Sequence, residues 1–170
     1  MSPTPAATPG RTVYRDTARV LPVDPEGRVL LMHGWDPARP DYPFWFTIGG
    51  GIEQGESLAD AAVRELFEET GMQADALALG EPFAAHRHQF GWGGMTLVQH
   101  ETYFALPAST TEVSFAGMEQ IELDTTDGAD WWTPDALDQD GSAGFPQLTD
   151  FMRMAIRATA ARLTPGIPDC

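Results

Sequence analysis

Three glutamates, Glu65, Glu68 and Glu69, stand at i, i+3 and i+4. At about 100° per residue of helix they share one arc of roughly 100°. Like charges placed this way repel each other by about a few tenths of a kcal/mol per pair. A divalent cation would turn that repulsion into attraction, whereas a fully solvated acidic face would only dilute it; the spacing alone fits both. Just upstream, Gly49-Gly50-Gly51 can bend sharply and bring backbone carbonyls or amides against a ligand, although an ordinary turn needs the same residues. A loop carbonyl with two or three carboxylates makes an all-oxygen donor set. Hard Mg²⁺ or Mn²⁺ prefers such donors, while zinc favours His or Cys.

The carboxylates converge only if a helix carries them, and the flanking residues predict one over Leu58–Thr70. Ser57 with Asp60 forms an N-terminal pair of the capping-box kind, with Asp where Glu or Gln is usual, and Gly71 supplies a left-handed stop. Leu58, Ala61 and Met72 fall in the same arc as the acids, which argues against a face bathed in water. Ala59, Val63, Leu66, Phe67 and Thr70 form the core stripe on another side.

Around this helix, residues 15–23 and 27–34 read as strands joined by an Asp24-Pro25-Glu26-Gly27 turn. Residues 35–43, with three prolines, form a loop, and 44–48 a short aromatic strand that the glycines break. Residues 77–90 and 95–106 read as two long strands around 91–94. An acid-rich loop over 108–130 leads to a strand at 129–133 and a helical turn at 134–137. Apolar spacing from Leu148 to Leu163 predicts a closing helix over 147–163. Hairpins with two or three helices predict a layered α/β sandwich with a mixed sheet, one domain over 13–164.

The chain has 170 residues and 42% apolar content, enough for one core. No apolar run reaches bilayer length. Residues 1–12 read as a disordered leader without the apolar stretch of a secretory signal, and 165–170 as a tail. The single cysteine, Cys170, allows no intramolecular disulfide, so cytoplasmic residence is expected. The net charge is −15, and all ten basic residues are Arg. Such a surface repels a nucleic-acid duplex but accepts a small anion bridged by cations; it is also a plain solubility feature.

Gly50 to Met72 reads GGIEQGESLADAAVRELFEETGM. It resembles the Nudix box, G-x5-E-x7-R-E-U-x-E-E-x-G-U with U apolar, at every specified position: Gly50, Glu56, Arg64, Glu65, Leu66, Glu68, Glu69, Gly71 and Met72. With common residues at about 7% each, the seven fixed identities arise by chance about once in 10⁸ starts. Arg28-Val29-Leu30-Leu31 resembles the strand that precedes the box in this family, and Asp130-Trp131-Trp132-Thr133 its late strand. Ile48 stands where many members carry Pro, which alters loop rigidity without removing a metal-binding oxygen.

The resemblance implies a Nudix-type α/β/α sandwich and a Mg²⁺-dependent hydrolase, with Mn²⁺ as a substitute. Glu65, Glu68, Glu69 and the Gly49 carbonyl would be metal ligands. Glu65 or Glu68 would orient or deprotonate the attacking water, and members differ on which acid is the base. Arg64 would fix the helix glutamates, and Glu56 would stand behind them. A further acid comes from a later loop: Glu122 is the first choice, with Glu119, Asp124 and Asp127 as competitors.

Substrate contacts are expected on the sheet and its loops, above all from Arg19, Trp45, Arg87 and Glu101, with aromatic rings stacking on a base and Arg holding a phosphate. Trp45, Trp131 and Trp132 equally suit a core. His86 and His88 share a strand face but have no third ligand nearby for zinc. Nucleoside triphosphates, damaged nucleotides, ADP-ribose, dinucleoside polyphosphates and sugar nucleotides all fit, and a homodimer suits the resemblance. Two rivals share the fold. A diphosphate isomerase would need an internal cysteine, which Cys170 is not, and a non-catalytic nucleotide sensor would show an eroded box.

Overall fold

The structure, a computed structural model, describes residues 10–163; most of the expected leader and all of the expected tail lie outside the described residues. Strand β1, Thr12–Val23, is the spine. It turns through Asp24-Pro25-Glu26-Gly27, closed by the Gly27 amide donating to the Asp24 carbonyl at 3.0 Å, into β2, Val29–Gly34. The Asp24 side chain, 4% exposed, accepts from the Glu26 and Arg28 amides and the Arg28 guanidinium. A buried carboxylate so satisfied makes this turn stiff.

Strands β3, Phe44–Phe46, and β4, Ile48–Gly51, come next, then helix α1, Leu58–Thr70. The glycines therefore do not form a free turn. They extend β4, which pairs antiparallel with β1 from Thr17↔Gly51 to Val20↔Ile48. Helix α1 begins and ends where the sequence places it. The Ser57 hydroxyl accepts from the Asp60 amide and donates to its carboxylate, and Gly71 closes the C-terminus at φ 73°.

Residues Ala76–Leu79 form a 3₁₀ turn, so the strand predicted from residue 77 starts only at Ala84. Asp75 accepts from the Leu77 amide and so offers the backbone a cap instead of a ladder. Strand β5, Ala84–Trp92, and β6, Met95–Pro107, form a long hairpin. Helix α2, Gln120–Thr125, lies in the stretch read as loop and runs directly into β7, Thr126–Trp132. Helices α3, Pro134–Asp140, and α4, Leu148–Leu163, complete the chain.

The mixed sheet has the path β3-β2-β1-β6-β5, with β4 on β1 and β7 on β2. Strand β1 pairs parallel with β6 along its whole length, Thr12↔Thr96 to Val23↔Pro107. Alternation along β1 splits the core in two. Ala18 and Val20 point to α1 and pack with Leu30, Met32, Ile48, Leu66 and Phe104. Leu21 and Val23 point to α4 and pack with Leu31, Tyr103, Leu148 and Met152. This is the α/β/α sandwich expected. Phe67, assigned to the core stripe, is instead 49% exposed. No helix among the described residues is long and apolar enough to cross a membrane.

Gly49 carries the tightest demand. Its φ is 139°, and a Cβ there would stand 2.1 Å from the Ala18 carbonyl oxygen and 2.8 Å from Arg19 Cα. Gly49→Ala is therefore expected to destabilise the fold by about 3 kcal/mol or more, read as a shift in the urea midpoint. An unchanged midpoint would contradict this packing.

Candidate active site

Helix α1 lays its acids over the glycine strand. Glu65 and Glu69 are 7% and 6% exposed, so this is no solvated face. Gly50 makes the approach possible, because a Cβ there would meet Glu65 Oε1 at 2.4 Å. The Gly49 amide donates to Glu69 Oε2 at 3.1 Å. Its carbonyl accepts from Arg19 at 3.0 Å, which leaves one lone pair for another partner.

Helix α2 closes the cluster. One carboxylate oxygen from each of Glu65, Glu69 and Glu122 lies within 4.8 Å of the others. Ligands 2.0–2.1 Å from a shared Mg²⁺ span about 4.2 Å at most, so small side-chain shifts would close this cradle on an ion. Glu122 is held by a capping box in which its Oε2 accepts from the Glu119 amide at 2.8 Å. Glu68 stays outside the convergent triad. Its half-exposed side chain sits 3.3 Å from Arg64.

Arg64 ties the acids together. Its guanidinium grips Glu56 through two hydrogen bonds of 2.8 and 3.0 Å, donates to Glu65 at 2.9 Å, and reaches the Gly51 carbonyl at 2.9 Å. The fork holds the Glu56 carboxyl below its ordinary range. Burial pushes Glu65 up, and Arg64 only partly offsets this. Glu69 is raised well above an ordinary carboxyl by burial, then by Glu65 and Glu122; Glu122 is raised chiefly by burial. Such a donor set is short of positive charge.

A second polar group lies on the α4 face of the sheet, where Arg19 and Glu101, each expected as a substrate contact, meet. Arg19 donates to Glu101 at 3.2 Å and to Gln99 Oε1 at 2.8 Å. The Tyr103 hydroxyl donates to Glu101 at 2.6 Å, and His88 Nδ1 stands 3.7 Å away. Burial would raise Glu101, but His88, Arg19 and Tyr103 outweigh it and hold the carboxyl at about 2. Gln99 Nε2 and Thr17 Oγ1 are buried beside this group with no hydrogen-bond partner.

The other proposed substrate contacts scatter. Trp45 packs against Trp132 and His33 and supports the core. Arg87 points to the opposite face of β5 from His86 and His88, which join an aromatic cluster with Phe145. These histidines form no metal group among the described residues.

Arg15 was missed by sequence reasoning. It precedes Thr17 and Arg19 on the same face of β1, with Gln99 as its register partner. It makes no hydrogen bond or ion pair among the described residues. Its side chain is exposed, and Arg19, Glu65 and Glu101 all act on its charge. The period-two spacing Arg15, Thr17, Arg19 was the signal that could have exposed it.

The chain belongs to the NUDIX domain family, whose sequence model matches residues 13–151. An RNA pyrophosphohydrolase of Novosphingobium aromaticivorans is 32% identical over 138 residues, covering 73% of this chain and 80% of the relative. One from Caulobacter vibrioides is 34% identical over 125 residues, 65% of this chain and 69% of the relative. Among solved structures, the MutT protein of Methanosarcina mazei superimposes with a TM-score of 0.58 at 18% identity, over 87% of this chain and 96% of that one. A C. elegans Ap4A hydrolase gives 0.55 at 15% identity, over 86% and 98%; these likenesses show the fold. The chain is thus a pyrophosphate-hydrolysing enzyme of a family that uses divalent metals, and it carries the acidic cluster for one.

The raised carboxyls set a pH dependence. A carboxyl whose folded pKa is raised favours its protonated form, so the metal-free fold loses stability as pH climbs from the unfolded value through the folded one. The depressed Glu101 acts only below about pH 4.5, outside that window. The melting temperature of metal-free protein is expected to fall as pH climbs above the ordinary carboxyl range, while the upward shift on adding Mg²⁺ grows over the same window. Calorimetric melts check this; a metal-free melting temperature that rises across the window would contradict it.

Proposed function

We propose that this chain is a Mg²⁺-dependent enzyme, with Mn²⁺ as a substitute, that cleaves a diphosphate linkage in a nucleoside triphosphate or a nucleoside diphosphate derivative. The observation that carries the reading is the convergence of Glu65, Glu69 and Glu122 above the Gly49–Gly50 backbone. These three, with the free lone pair of the Gly49 carbonyl, would hold the metal. A bound dication supplies charge neutralisation for the phosphates and a lower pKa for attacking water.

The chain's own groups do the rest. Arg64 holds Glu65 and Glu68 in place and cannot itself lose a proton. Glu68, outside the triad and open to water, is the better-placed acceptor for a proton from the attacking water; Glu65 is the alternative. Arg15 offers a free guanidinium fork to a phosphate. Arg19 and Glu101 act as a rigid floor, fixed by Gln99 and Tyr103.

Because two relatives are named RNA pyrophosphohydrolases, RNA is worth trying as a substrate alongside free nucleotides. A duplex itself remains a poor partner for a chain of net charge −15. A single domain over residues 13–164, cytoplasmic residence and a homodimer belong to the same reading.

A panel of nucleoside triphosphates, dinucleoside polyphosphates, nucleotide sugars, ADP-ribose and 5′-triphosphorylated RNA, with and without Mg²⁺, tests this by the phosphate species released. Glu69→Gln is expected to keep the fold and lower kcat about 10²-fold or more. Arg15→Ala is expected to raise KM about tenfold with a smaller change in kcat, the mark of a lost binding contact. Near-full activity in Glu69→Gln would remove Glu69 from the ligand set.

A further inference from the structure

Glu122 reaches the acidic cluster on a six-residue helix, too short to hold itself in place. Its position is set by what tethers the segment at both ends. Upstream, the Ser114 amide donates to the Thr70 carbonyl at 2.8 Å, and Gly117 passes so close to α1 that a Cβ would meet the Glu68 carbonyl oxygen at 2.8 Å. Downstream, the Trp35 amide donates to the Thr125 carbonyl at 3.0 Å, and a Cβ on Gly34 would lie 2.1 Å from that same oxygen.

Between Thr125 and the regular part of β7 the ladder to β2 slips. Gly34 pairs with Thr126 and His33 with Gly128, so Asp127 is the extra residue of a bulge. Bulges end pairing and re-aim the chain, and here the redirected chain is α2. The Asp127 side chain folds back across the bulge to His33, with Oδ1 2.5 Å from Nδ1. The His33 ring is itself fixed against Trp45, centroids 4.6 Å apart. Neither residue belongs to the acidic cluster.

We propose that the His33–Asp127 pair is a latch that holds the β7 bulge closed and thereby positions α2 so that Glu122 faces Glu65 and Glu69. His33 and Asp127 are positioning residues: they act through Glu122 and touch no reacting group. The proposal rests on Glu122 being a metal ligand, as argued above. Through this latch, β2 sets metal affinity from outside the site.

The test combines two readouts in the full chain. His33→Phe keeps a ring against Trp45 but removes the partner of Asp127; Asp127→Asn removes the charge from the other side. Amide hydrogen exchange of residues 120–125, measured without metal, reads the latch directly, and both variants are expected to exchange about tenfold faster there. Mn²⁺ titration followed by electron paramagnetic resonance reads the consequence. Its dissociation constant is expected to rise about tenfold in both variants, the low end for partners one contact beyond a metal ligand. In a Glu122→Gln background, His33→Phe is expected to weaken Mn²⁺ binding by no more than about twofold further, because its effect passes through the lost carboxylate. General destabilisation would instead add to Glu122→Gln. Unchanged exchange at 120–125, or additive losses in the double variant, would overturn the latch. If Glu122→Gln alone left Mn²⁺ affinity unchanged, the ligand role would fall and the proposal with it, whatever the exchange showed.

Discussion

Burial of like-charged carboxylates is the constraint on which this molecule is built. Glu65 and Glu69 are almost sealed from water, and Glu122 joins them from another part of the chain. Burying uncompensated charge is costly, and groups in that position normally take up protons or find a cation. Arg64 answers part of the demand by binding Glu65, Glu68 and Glu56 at once. Much of its charge is spent on Glu56, at the edge of the cluster, so the triad remains short of positive charge. The fold supports that shortage with glycines, since strand β4 must let α1 approach until carboxylate meets backbone.

The two faces of the sheet divide the labour. The α1 face carries the acidic cluster, and the α4 face carries Arg15, Arg19 and Glu101, with Gln99 and Thr17 buried among them. Strand β1 belongs to both. Its even residues, Ala18 and Val20, seat α1, while its odd residues Arg15, Thr17 and Arg19 look to the other side. In a chain of net charge −15, β1 gathers two of the ten arginines, Arg15 and Arg19, on one strand face with Glu101.

The motif was legible because its parts are close in sequence. Helix spacing, the Ser57 cap and the Gly71 stop all lie within a few residues, so local rules put Glu65, Glu69 and Arg64 on helix α1. The two-layer cover of the sheet was legible too, from strand alternation and the apolar stripe of α4. What escaped depends on contacts across the chain. Helix α2 hid in an acid-rich stretch because it is a single capped turn tethered by Thr70 and Trp35, far away in sequence. The glycines looked like a turn because nothing local shows that β4 pairs with β1. Arg15 looked ordinary until its lack of a partner was visible, and His33 carried no signal without the Asp127 bulge beside it.

Anomalous diffraction from crystals grown with Mn²⁺ and a non-hydrolysable nucleotide would test the central claim most directly. The account predicts a manganese peak bounded by oxygens of Glu65, Glu69 and Glu122, at about 2.2 Å from each. A peak bound elsewhere, or a triad that stays metal-free with the nucleotide seated beside it, would contradict it.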